Sequence, residues 1–201
     1  MKLVIKLGGS LLVESARWKP VLEQLLRLHH QGHQCLLVHG GGKLLTAYLE
    51  RTGIESRFVQ GLRVTDEQTR DAALMVMGGL LNRKIVVAIR KLGGQALGIC
   101  GDAGLVTARK CASPQADIDL GYVGEVESVN GQLLSRLHGL GLIIVMASLA
   151  ADRQGDFYNI NADLLAASCA AALQAERLIF LTDVDGVLDA QGNALAVLSR
   201  S

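Results

Sequence analysis

Residues 36–45 read LLVHGGGKLL: an apolar run, a histidine, three glycines and a lysine. The apolar run is a strand signal, and Leu44, Leu45, Tyr48 and Leu49 then mark one apolar face of a helix. A strand thus feeds a helix through a glycine turn. The same order stands upstream. KLVIKLGGS (residues 2–10) reads as a strand ended by Gly8 and Gly9. Trp18, Val21, Leu22, Leu25, Leu26 and His29 follow at helical spacing, and Gly32 closes that helix. Strand, helix, strand, helix implies parallel pairing. The expected fold is α/β, a three-layer αβα sandwich with a mainly parallel open sheet.

Downstream, QALGICG (95–101), GLIIVMA (141–147) and ERLIFLTDVDGVLD (176–189) supply further apolar strands, each entering a glycine or polar turn. GEVESVN (124–130) alternates and is expected in a hairpin. Residues 66 to about 92 are expected to form one long helix, capped by Thr65 with Gln68 as box partner. Gly78 and Gly79 weaken it by about 1 kcal/mol each, for close packing or a bend. Its methionine-rich centre, Met75 and Met77, suggests a face covered by another lobe or subunit. An alanine-rich helix follows Asn161, a candidate cap. In open parallel sheets, ligands bind where strand ends meet such turns.

Composition narrows the function. The 201 residues carry a formal net charge of +1 and no basic tract, unlike a protein that neutralises many phosphates of a nucleic acid. Aromatic residues are only 3%, too few for base-stacking platforms. No uninterrupted apolar stretch reaches the roughly 18–20 residues of a membrane span. Cys35, Cys100, Cys111 and Cys169 form no CxxC pair and read as buried free thiols, so a cytoplasmic location is expected. His29, His30 and His33 read as a solvated helix end, not a zinc set.

The glycine turns carry the chemistry. A Walker loop needs glycine at position 37 and a hydroxyl at 44, where this chain has Leu37 and Leu44. A dinucleotide loop needs glycine at 45, which is Leu45. What remains is a bare backbone nest at a helix N-terminus, suited to a carboxylate or phosphoryl group. KLGGS repeats that arrangement, with Lys6 embedded in an otherwise apolar strand. Two such nests on adjacent strands suit the two ends of a phosphoryl transfer. Arg63, before the long helix, can present a fork to a substrate carboxylate; a rim ion pair with Asp66 or Glu67 is the plainer role. In YNINAD, Asn159 and Asn161 can fix polar groups, and Asp163 can orient a lysine; simple helix capping is the plainer role. Asp102 can contact a substrate, but turn chemistry explains it equally well, and Lys43 reads as a helix-surface residue.

KLGGS, VHGGGK, GLRVTD, GICGDAG, YNINAD and LTDVDGVL occur in the order found in acetylglutamate kinases, and the chain resembles that branch of the amino-acid kinase family along essentially its whole length. The resemblance implies transfer of the γ-phosphoryl group of ATP to the side-chain carboxylate of N-acetyl-L-glutamate, in arginine biosynthesis, with Mg²⁺ accompanying the nucleotide. It implies that Lys6 stabilises the moving group and that Asp163 organises the catalytic lysines. Gly8 and Gly9 would touch the nucleotide phosphates, with Asp183, Val184, Asp185, Gly186, Val187 and Leu188 lining the adenine nucleotide side. Gly41 and Gly42 would hold the acceptor, with Arg63 on its α-carboxylate and Asn159 and Asn161 beside it. Residues 1–150 would form the acceptor lobe and 151–201 the start of the nucleotide lobe. The family usually continues with a glycine-rich segment and a second catalytic lysine, which this sequence lacks, so it is expected to be C-terminally truncated. Arginine-inhibited members often carry an extra N-terminal helix; its absence here predicts no such feedback, whereas a homodimer through the long helix remains expected. Two other readings stand beside this one: a kinase for an acetylaminoadipate-type acceptor, and a non-catalytic ligand-binding domain.

Overall fold

The computed structural model describes residues 1–201 except 10, 13–14, 113–117, 183–185, 188, 190 and 198–201. The chain order is β1 (Lys2–Leu7), α1 (Ser15–His30), β2 (Gln34–His39), α2 (Gly42–Thr52), β3 (Phe58–Val59) and β4 (Leu62–Arg63). Then come α3 (Glu67–Ala73), a π-helical segment (Leu74–Leu81), α4 (Asn82–Lys91), β5 (Ala96–Ile99), β6 (Val106–Lys110) and β7 (Val123–Val129). The last elements are α5 (Gly131–His138), β8 (Ile143–Ala147), β9 (Leu149–Ala151), β10 (Phe157–Ile160), α6 (Ala162–Leu173) and β11 (Arg177–Leu181).

The five apolar strands expected from the sequence make one parallel sheet in the order β11-β1-β2-β8-β5. Side-chain alternation sorts each strand between two layers. Leu3, Ile5, Leu7, Cys35, Leu37, Ile143 and Val145 face α1 and α4, packing with Trp18, Leu22, Ile85 and Ile89. Val4, Leu36, Val38, Ile144 and Met146 face the other way, onto Leu134 of α5 and Leu165 and Cys169 of α6. This is the expected three-layer sandwich. Lys6 shares parity with Val4 and therefore emerges on the α6 side.

The predicted hairpin exists as β6 and β7, antiparallel with a register shift at Thr107/Ala108. The sequence did not announce that β6, β7, β9 and β10 close into a four-stranded barrel. Its interior residues Val106, Ala108, Ala150 and Tyr158 continue the α6-side core.

The long helix runs unbroken from Glu67 to Lys91. By length and composition alone it is apolar enough to cross a membrane; in this fold 44% of its most apolar window is buried. Its middle is π-helical, and Gly78 there serves close packing: a Cβ on it would lie 2.9 Å from Cys100 Sγ. The cap differs from expectation. Thr65 is held extended by pairing with residues on either side of Gly121, its N–H donating to the Leu120 carbonyl and its carbonyl accepting from Tyr122. Its hydroxyl donates to the Arg63 carbonyl, and Asp66 caps the helix by accepting from the Thr69 N–H at 2.8 Å.

Candidate functional site

The carboxyl ends of β1 and β2 open into a cavity of about 230 Å³, lined by Lys6, Gly9, Gly40, Gly41, Gly42, Arg63, Ser148, Asn159, Asn161 and Asp163 among others. A second cavity adjoins it and shares Lys6, Gly9, Gly42 and Arg63, adding Gly8, Lys43, Thr46 and Thr182. The two glycine turns therefore sit side by side.

Lys6 Nζ lies 2.8 Å from Asp163 Oδ1, the lysine largely buried and the aspartate half exposed. Strand parity aims Lys6 at α6, and the first turn of α6 supplies the carboxylate. Asn161 makes that turn by accepting from the N–H groups of Asp163 and Leu164 at 2.9 and 3.2 Å. Its oxygen is thus a cap, as the simpler reading had it, while the residue still lines the cavity. Asn159 stands two residues earlier on β10.

The glycine turn 40–42 leads into α2, whose N-terminus has no side-chain cap. Gly41 is pressed against the long helix: a Cβ there would meet Met77 Cγ at 2.9 Å and Leu81 Cδ2 at 3.1 Å. Arg63 is 7% exposed and pairs with neither Asp66, which caps α3, nor Glu67, which pairs with Arg70. Its guanidinium instead donates to Ser56 Oγ at 2.6 Å, Thr46 Oγ1 at 2.7 Å and the Gly42 carbonyl at 3.2 Å. It also stacks on the Phe58 ring at 4.5 Å. Burial lowers its pKa from the usual arginine range, yet guanidinium keeps its proton. These partners are neutral, so a positive charge is held in place beside the turn.

Asp102 is exposed in a turn, one of the two roles expected of it, and lines neither cavity. Gly186 and Val187 also line neither; Asp183, Val184, Asp185 and Leu188 lie outside the described residues. Lys43 is exposed, as expected, but also borders the second cavity. The four cysteines are free thiols, with Cys35 and Cys169 buried and Cys100 and Cys111 half-buried. Sequence reading missed Thr46, Ser56 and Phe58, which grip Arg63. It also missed His39, which lies fully buried under the turn. The strand parity that places Cys35 and Leu37 toward α4 would have placed His39 there too.

An open parallel sheet with two glycine turns and a paired lysine at its strand ends has the arrangement of a phosphotransferase-type α/β protein. The chain belongs to the amino acid kinase family, whose profile matches residues 1–200. It is 48% identical over 196 residues to the acetylglutamate kinase of Koribacter versatilis (strain Ellin345), covering 97% of this chain and 74% of that one. It is 46% identical over 202 residues to the acetylglutamate kinase of Solibacter usitatus (strain Ellin6076), covering 100% and 77%. The crystal structure of smu.665 from Streptococcus mutans UA159 superposes with a TM-score of 0.81 at 29% identity, covering 94% of this chain and 75% of that one. The chain spans about three quarters of the length of these relatives.

Proposed function

We propose that this protein transfers the γ-phosphoryl group of ATP to the side-chain carboxylate of N-acetyl-L-glutamate, yielding an acyl phosphate and ADP. The observation that carries this reading is the meeting of Lys6–Asp163, two glycine turns and Arg63 around adjoining cavities. An acceptor carboxylate is already ionised at neutral pH, so no general base is required. A carboxylate oxygen forms the new bond to the γ-phosphorus as the bond to the β–γ bridging oxygen breaks and leaves with ADP. The obstacle is repulsion between anions, and the remedy is in-line placement with positive charge around the moving group.

Lys6 supplies that charge, and Asp163 positions its ammonium. Gly8 and Gly9 present backbone toward the nucleotide phosphates. Gly41 and Gly42 present N–H groups to the acceptor, Arg63 pairs with its α-carboxylate, and Asn159 and Asn161 fix its polar groups. Residues 1–150 are assigned to the acceptor side, which Asn159 and Asn161 join from the following segment; 151–201 begins the nucleotide side, where Asp183, Val184, Asp185, Gly186, Val187 and Leu188 are assigned to the nucleotide. Mg²⁺ neutralises phosphate charge when it arrives with ATP. The long helix leaves Met75, Leu80 and Val87 about half exposed, and a homodimer through that face is the assembly we favour; light scattering tests it.

The deciding assay traps the acyl phosphate with hydroxylamine while following ADP release. N-acetyl-L-glutamate is expected to drive both. A clear preference for the one-carbon-longer acetylaminoadipate would replace the acceptor, and ATP-analogue binding without turnover would favour a binding domain.

A further inference from the structure

The acceptor-side turn rests on a buried polar pair. His39, the last residue of β2, and Asn82, the first of α4, are each 0% exposed. The Asn82 amide nitrogen lies 3.0 Å from the Val145 carbonyl, 3.1 Å from His39 Nε2 and 3.4 Å from the Ile99 carbonyl. On the other side of the ring, Nδ1 lies 2.7 Å from the Gly40 carbonyl.

These partners decide where each proton sits. Carbonyl oxygens only accept, so the Asn82 nitrogen, not its oxygen, must occupy that corner. An amide nitrogen only donates, so His39 Nε2 must accept. The single proton of the neutral ring is then on Nδ1, and it donates to the Gly40 carbonyl. Burial favours the same neutral ring, lowering the His39 pKa from 6.5 to about 4. The Asn82 amide oxygen is left buried without a partner, a cost that an apolar side chain would avoid. Gly98 makes room for it, since a Cβ there would run into that oxygen.

The consequence falls on the next peptide. In a trans peptide the carbonyl and the following N–H point in opposite directions, and the described chain has no cis peptide bonds. Holding the Gly40 carbonyl against the ring turns the Gly41 N–H away from it. We propose that His39, kept in its Nδ1–H tautomer by Asn82, is a positioning residue that aims the Gly41 N–H into the cavity as a donor to the acceptor's carboxylate. This rests on the acceptor reading given above, and it assigns a task to the histidine of VHGGGK that needs no contact with substrate.

The first test needs neither variant nor ligand. Nitrogen-15 NMR of the imidazoles at neutral pH is expected to show His39 neutral, with Nδ1 protonated; an Nε2–H tautomer or an imidazolium overturns the proposal. The second test splits the ring. His39→Asn puts an amide nitrogen near the Nδ1 position and keeps the donor to Gly40, whereas His39→Gln reaches the Nε2 position and loses it. Calorimetric titration with N-acetyl-L-glutamate is expected to show binding weakened about tenfold in His39→Gln and within about threefold of wild type in His39→Asn. Affinity for a non-hydrolysable ATP analogue is expected to be unchanged in both. Equal weakening in the two variants, or a parallel loss of nucleotide affinity, reduces His39 to a core residue and overturns the proposal. A wild-type protein that binds no N-acetyl-L-glutamate overturns the acceptor assignment instead, and the spectrum still judges the tautomer.

Discussion

Gly8–Gly9 and Gly40–Gly42 both end a parallel strand, but different material lies around them. The first turn is tied by backbone: the Gly8 N–H donates to the Leu181 carbonyl at 2.8 Å, and a Cβ on Gly8 would come within 2.7 Å of that oxygen. Among the described residues, a Cβ on Gly9 would have nothing within 4 Å. The second turn is shored by side chains from several elements: His39 beneath Gly40, Met77 and Leu81 against Gly41, and Arg63 on the Gly42 carbonyl. The first turn is tied by backbone and the second is braced by side chains. On the proposed function, a braced turn suits a small acceptor that must be held in line, and the other serves a long nucleotide whose phosphates are gripped by charge.

The comparison breaks first at Lys6, to which the proposed function assigns the group passing between the turns. Lys6→Ala is expected to lower kcat about 10²–10³-fold while N-acetyl-L-glutamate binding measured by calorimetry changes little; equal losses in both would remove its transition-state role. Acid comes next, and it should be felt on the braced side. His39 has a pKa near 4 when folded, against 6.5 for an ordinary histidine. Between those values the unfolded chain binds a proton that the folded chain refuses, so stability is full above pH 6.5 and falls as pH drops toward 4. The loss is on the order of 3 kcal/mol. Burial lowers the His138 pKa too, with the same sign, so the useful quantity is the difference in urea-midpoint slope between wild type and His39→Asn. An identical slope would mean that His39 is protonated in the fold.

Arg63→Lys loses the fork that reaches Ser56 and Thr46. It is expected to raise the acetylglutamate KM about tenfold with a smaller change in kcat; an unchanged KM would take Arg63 out of the site. The last contrast is between the glycines. Gly41→Ala is expected to cost about 1–3 kcal/mol by overpacking against Met77 and Leu81, partly recovered when combined with Met77→Ala. Gly9→Ala is expected to stay within about 0.5 kcal/mol, away from any such contact. Thermal melts of both would show whether the bracing is real.

Much of this was legible because it is local or periodic. The sheet strands, the parity of Lys6 and the Asn161 cap all follow from spacing within a few residues. What escaped depends on residues far apart in sequence. The barrel needs β6 beside β9 and β7 beside β10. The grip on Arg63 draws on Thr46 and Ser56, and the His39–Asn82 pair joins residues 43 positions apart. The cap at Thr65 failed for the same reason, since pairing with the chain beside Gly121 holds Thr65 extended and passes the role to Asp66. Short polar residues beside a glycine turn announce a site, but not which of them carries the load.

The position of β1 also sets a schedule. It precedes the other described strands in the chain and lies in the sheet between β2 and β11. Its β2 partner follows within one helix, but the Lys2 N–H waits for Glu176, 174 residues later. Lys6 likewise waits for α6 to bring Asp163. One edge of β1 therefore stays unpaired until β11 has been made, and Lys6 is seated only once α6 has formed.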